Sequence, residues 1–146
     1  MLMATLFLAA MLVATGAAAH KLKVATWNIE HLRDGIGEGP NPRDQADFDR
    51  LEAYAEILDA DVIAFQEVEN QTAAERVFDP AIYQIFISNR SHTQRTGFAV
   101  RKSIAAVQNS DFSALNVTGG LRHGTDITIM VDRQEIRFLS EPTSRR

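Results

Sequence analysis

The chain has 146 residues, a formal net charge of −4 and no cysteine. That length fits one domain at most, and neither a disulfide nor a thiolate zinc site is available to it. The mild acidity argues against a protein that holds nucleic acid on a static basic surface, but not against an enzyme that meets phosphate through metal ions.

Met1 to Ala19 carries no charged residue. Its apolar run, Leu6 to Val13, is too short to span a bilayer. The run leads into Gly16-Ala17-Ala18-Ala19, where Ala17 and Ala19 have the small-x-small spacing of a signal-peptidase site before His20. The expectation is an export leader over 1–19 and a periplasmic or secreted mature chain with no transmembrane span. Met1-Leu2-Met3 lacks the usual basic residue, so an uncleaved anchor or a buried apolar helix is the alternative.

Leu22 to Asn28 reads as a strand, followed by a Gly-, Asp- and Pro-containing loop from Arg33 to Pro40. Asn41-Pro42-Arg43-Asp44 predicts a helix start, with Asn41 as cap, Pro42 in the first turn and Asp44 near the free backbone N–H groups. Phe48, Leu51, Tyr54, Ala55 and Leu58 then recur at helical spacing. After Asp61, Val62 to Phe65 is apolar on both faces, as a central strand is. Strand–helix–strand predicts two parallel strands lying side by side. Further on, Thr72 to Phe78 suggests a short helix, and Ile82 to Ser88, Gly97 to Arg101 and Ala105 to Val107 suggest strands. Asp126 to Val131 and Glu135 to Ser140 should pair as a hairpin across Asp132-Arg133-Gln134. The domain thus runs over 20–140, and 141–146 is an unpatterned polar tail.

This order places Asn28 and Glu67 at the carboxyl ends of neighbouring strands, where open α/β sheets hold ligands. Magnesium and manganese favour hard oxygen donors, often one or two carboxylates completed by water and substrate phosphate. Glu67 is such a carboxylate. Asn28 offers an amide oxygen and an N–H donor. Taken alone, a carboxylate at a strand end is commonly just solvated. His31 follows the first strand and could face the site, although a loop histidine is more often solvent-exposed. His92, among Arg90 and Arg95, and Arg122, beside His123, form basic clusters suited to phosphate; the bland reading of both is a solvated surface. The histidines lack zinc-site spacing, and no nucleophile-elbow motif supports a serine hydrolase.

Two segments go further: Ala25-Thr26-Trp27-Asn28-Ile29-Glu30 and Asp61-Val62-Ile63-Ala64-Phe65-Gln66-Glu67-Val68. With the glycine-led Thr96-Gly97-Phe98-Ala99-Val100-Arg101 and the stretch Leu121 to Thr128, they resemble the opening half of the endonuclease/exonuclease/phosphatase family, the DNase I-like metal-dependent phosphoesterases. The similarity runs from Lys23 to about Ser140. It implies an α+β fold, a sandwich of two mixed β-sheets flanked by helices, of which this chain carries the first half, one sheet plus helices. It also implies Glu67 as the metal-binding glutamate and Asn28 as the supporting asparagine. The implied cofactor is Mg2+ or Mn2+, and the implied partner a phosphate-ester substrate, nucleic acid among the choices, with no stable protein partner. His92 and Arg122 are the candidate contacts to substrate phosphate.

In that family a His-containing stretch follows, then a Gly-Asp-x-Asn segment and an Asp-His pair. Here Ser140 is followed by Glu141-Pro142. A frameshift near Ser140 or a shortened gene would produce a catalytically inactive fragment, and an exported binding module is the third reading. The fragment reading predicts an uncovered apolar sheet face and a raw sheet edge.

Overall fold

The computed structural model describes residues 21–89, 92–112 and 123–141. The expected leader, His20, Arg122 and residues 142–146 lie outside them. β1 (Val24–Leu32), α1 (Gln45–Leu58) and β2 (Val62–Val68) form the expected crossover unit. β1 and β2 pair in parallel, with Val24 opposite Val62 and Asn28 opposite Gln66. A short helix α2 (Gln71–Glu75) leads to β3 (Tyr83–Ile87) and β4 (Arg95–Arg101). Both join antiparallel to give a mixed sheet in the order β1-β2-β4-β3.

β5 (Ala105–Gln108), β6 (Thr125–Val131) and β7 (Gln134–Ser140) make a second, antiparallel sheet. The described residues therefore contribute strands to two stacked sheets, where the sequence suggested one sheet plus helices. The reason is geometric. β5, β6 and β7 pair with one another and turn an apolar face, Ile127 and Ile129, onto the first sheet, while β1 and β3 remain its edges. Ile127 and Ile129 pack against Val62, Phe98 and Val100 to form the inter-sheet core. On the opposite face Ile63 and Phe65 pack against Phe48, Ala55, Ala73, Ala74 and Phe78 from the helical side. β2 is thus apolar on both faces because both are covered.

α1 starts later than its sequence suggests. Asp44 is the cap: its side chain accepts from the Asp47 N–H at 2.9 Å, and the Asp47 carboxylate accepts from the Asp44 N–H at 3.0 Å. Asn41 cannot fill that role, because Arg43 is held in the loop. Its carbonyl accepts from the Gly37 N–H at 2.9 Å, and its guanidinium reaches back to the β1 backbone. The β6–β7 turn is also tighter than expected. Val131 pairs with Gln134, and Asp132 and Arg133 both adopt positive φ (49° and 65°), the geometry of a two-residue hairpin loop that follows strand twist. β1 and β7 end their sheets on the same flank, where Val24 and Leu139 are exposed along a cleft of about 440 Å³.

Gly97 lies in β4 between its two sheet neighbours, β2 and β3. A Cβ there would lie 2.3 Å from the Phe65 ring and 2.4 Å from the Phe86 carbonyl oxygen. Gly97→Ala is expected to destabilise the fold by about 1–3 kcal/mol, read as a lower urea midpoint with unchanged slope. On the second sheet Arg137 Nε lies 2.9 and 3.0 Å from the two oxygens of buried Asp126, and the Asn109 amide donates to Oδ1 at 2.8 Å. The Arg137 guanidinium, assisted by Asn109 and opposed by burial, holds this carboxyl below its ordinary value of 3.8. A carboxyl with a depressed folded pKa stabilises above its unfolded value and loses that contribution as pH falls through the folded one. The melting temperature should therefore fall on acidification below pH 3.8, and Arg137→Met should flatten that dependence in a pH series of thermal melts.

Candidate functional site

The ladder between β1 and β2 breaks at their carboxyl ends. Pairing runs regularly to Asn28–Gln66 and resumes at Leu32–Val68, so that Ile29, Glu30 and His31 stand against Glu67 alone. On the other side of β2, Gln66 and Glu67 stand against Thr96 between the pairs Phe65–Gly97 and Val68–Arg95. Both irregularities use left-handed backbone at non-glycine residues: φ is 48° at Glu30, 55° at His31 and 61° at Glu67. Each such residue costs about 1–2 kcal/mol. Strain of this kind persists where the surroundings enforce it, and it clusters at functional sites.

The enforcement is visible. A bulge leaves backbone carbonyls without ladder partners, and buried ones must be satisfied. Arg43 Nη2 donates to the carbonyls of Ile29 (2.7 Å) and Glu30 (3.0 Å). Trp27, just before Asn28, packs edge-on against Tyr54 and Phe78. Below the bulge, the Gln66 amide donates to Thr26 Oγ1 at 3.2 Å and Ser140 Oγ at 3.4 Å. Thr96 and Thr125 bond each other through hydroxyls 3.0 Å apart. These contacts clasp the second sheet to the first directly under the site.

The structure brings Asn28 and Glu67 together from positions 39 apart in sequence: Asn28 Nδ2 donates to Glu67 Oε1 at 3.2 Å. The Glu67 side chain is 2 % exposed, whereas Asn28 is exposed. The Asn28 oxygen accepts from the Glu30 N–H at 2.9 Å, which fixes the orientation of its amide. His31 joins them, with Nε2 3.7 Å from Glu67 Oε2. Gln94, from the β3–β4 connection, lies against its imidazole, 2.9 Å from Nε2 and in contact with Nδ1 as well. His92 is exposed two residues earlier; its Nδ1 accepts from the Gln94 N–H at 3.0 Å, and its carbonyl accepts from Arg95 Nε at 3.1 Å. His92, Thr93 and Arg95 line a cavity of about 400 Å³ with Glu69 and Asn70.

A second acidic group joins the β1–α1 loop to the end of β2: Asp34 and Glu38 of the loop and Glu69, just after β2, offer oxygens within 4.8 Å of one another. Glu69 accepts from Arg33 Nη1 at 3.1 Å, and Asp34 accepts from the Asn70 amide at 2.9 Å. Arg76 donates to the Asp34 carbonyl at 2.5 Å. These bonds anchor the loop to the end of β2. Sequence reasoning did not single out Gln94 or Gln66 as working side chains, and it treated His31 as a loop residue. No periodic signal marks them, because the bulges that aim them are set by tertiary contacts.

No family model matches the chain, and no curated protein does. Solved structures do. Truncated TDP2 of Caenorhabditis elegans superposes with a TM-score of 0.61 at 18% identity, over 86% of this chain and 47% of that one. Humanized D. rerio TDP2 carrying 14 mutations gives 0.58 at 16% identity, over 81% and 45%. D. rerio TDP2 complexed with a single-strand DNA product gives 0.58 at 17%, over 81% and 44%. The chain spans under half the length of each of these structures. The likeness is one of fold: the described residues form part of a DNase I-like sandwich, as the strand-end motifs implied.

Proposed function

We propose that this chain carries part of the active site of a divalent-metal-dependent phosphodiesterase or nuclease. The observation that supports it most is the buried Glu67 carboxylate, held by Asn28 where the regular pairing of two parallel strands stops and both ladders of β2 bulge. The donor set fits Mg2+ or Mn2+: a carboxylate with an amide beside it, all hard donors, and no thiolate in the chain. Glu67 would hold the ion. Asn28 would fix the rotamer of Glu67 through its N–H and present its amide to the substrate side. When bound, such an ion polarises the phosphoryl oxygen and stabilises the leaving oxygen. A chain of net charge −4 needs that neutralisation to approach a phosphodiester.

His92 and Arg122 are the proposed contacts to substrate phosphate. His92 is supported by its exposed place in the connection that carries Gln94 and runs into Arg95 at the start of β4. A nucleic-acid substrate is supported by the single-strand DNA product in the D. rerio TDP2 structure. Because the chain spans less than half of that protein, turnover by this chain is itself part of the proposal, as is its export. The alternative is an inactive piece that keeps the cation site.

The experiment is hydrolysis of a short single-stranded DNA and of bis(p-nitrophenyl) phosphate, with Mg2+ or with excess chelator. Glu67→Ala is expected to lower turnover about 10²–10³-fold, the usual loss when one electrostatic stabiliser is removed, and chelator should abolish it. Normal turnover by Glu67→Ala would overturn the assignment. Mn2+ binding without turnover by the unsubstituted chain would select the inactive-piece reading.

A further inference from the structure

We infer that His31 is a positioning residue for the Glu67 carboxylate and that Gln94 acts through it, so that the two together set the cation affinity of the site. This rests on the reading of Glu67 as the cation-holding group. Asn28 takes one Glu67 oxygen at 3.2 Å and His31 faces the other at 3.7 Å. The carboxylate is therefore addressed on both oxygens by side chains from the end of β1. In a regular strand residues three apart project to opposite faces. His31 reaches the same carboxylate as Asn28 because Glu30 and His31 adopt consecutive left-handed conformations. A merely solvated loop histidine has no use for that backbone, and this one is 19% exposed.

Gln94 completes the arrangement. It comes from a third segment, the β3–β4 connection, and its amide lies against the imidazole of His31. With Nδ1 accepting from the Gln94 N–H, the proton is carried by Nε2, the nitrogen 3.7 Å from Glu67 Oε2; a partner on one side of an imidazole sets its tautomer in this way. The carboxylate is then oriented before an ion arrives. Removing such an outer partner typically weakens metal binding about 10–100-fold.

The test uses Mn2+ as the probe and the loss of its free-ion electron paramagnetic resonance signal as the readout, on the whole chain without substrate. Glu67→Gln should lose binding. His31→Ala and Gln94→Ala should each weaken it, His31→Ala by about 10–100-fold. The double variant should bind no more weakly than His31→Ala, because Gln94 acts through the ring. His31→Gln, which keeps an N–H donor, should recover part of the loss, a result that a purely structural role does not produce. If His31→Ala and Gln94→Ala bind Mn2+ like the unsubstituted chain while Glu67→Gln does not, this inference falls and the cation reading of Glu67 stands. If Glu67→Gln binds normally, or the unsubstituted chain does not bind at all, the cation reading falls and takes the inference with it. Should His31→Ala fail to fold, Gln94→Ala decides, since it leaves the left-handed backbone at His31 untouched.

Discussion

Between Asn28–Gln66 and Leu32–Val68 the parallel ladder gives up its regular pairing, and three residues of one strand confront one of the other. Regular pairing would send Asn28 and His31 to opposite sides of the sheet. The break instead lets both address Glu67. Such an arrangement is unfavourable locally, since non-glycine residues are held at positive φ and two carbonyls leave the ladder. It persists because the rest of the half-sandwich is built around it. Arg43 takes the freed carbonyls, α1 is displaced to begin after Arg43, and the loop between β1 and α1 is anchored to the end of β2 through Glu69, Asn70 and Arg76.

The second sheet serves the same end from below. Its apolar face closes the core against Val62, Phe98 and Val100. Its polar contacts gather at the site end, where Gln66 meets Ser140 and Thr96 meets Thr125. Gln66 and Thr96 are the neighbours of Glu67 along and across the ladder. Any shift of one sheet over the other would move them, so inter-sheet packing is coupled to the geometry of the carboxylate. The polar bonds are buried, and leaving either partner unsatisfied costs more than the bond itself contributes.

Charge gives this placement its chemical sense. The chain is acidic overall, and its site centres on a buried acid. Under the proposed function, a hard divalent ion at Glu67 would offset the repulsion that such a place presents to a phosphodiester. Nearby cations are occupied in structure: Arg43 and Arg76 bond backbone carbonyls, and Arg33 bonds Glu69. Exposed His92 and half-buried Arg95, at the start of β4, stand on either side of Gln94 in the chain.

Local chemistry made much of this legible. Helical spacing of apolar residues marked α1, and the both-face apolarity of Val62 to Phe65 marked a strand covered on two sides. Alternating apolar residues flanking Asp132 marked the hairpin. The strand–helix–strand order was enough to bring Asn28 and Glu67 to one edge, because a crossover connection leaves few other placements. Some details did not follow: Asn41 read as the cap, and the structure places Asp44 there, with Arg43 held in the loop. What the sequence by itself determined was therefore the elements, their parallel pairing and the identity of the two strand-end side chains. Only the tertiary structure decided that His31 turns to Glu67, that Gln94 reaches His31 from 63 residues away, and that a second sheet locks the bulge from beneath. Periodicity encodes which face a residue takes in a regular element, and a bulge is a departure from regularity that only distant contacts can hold.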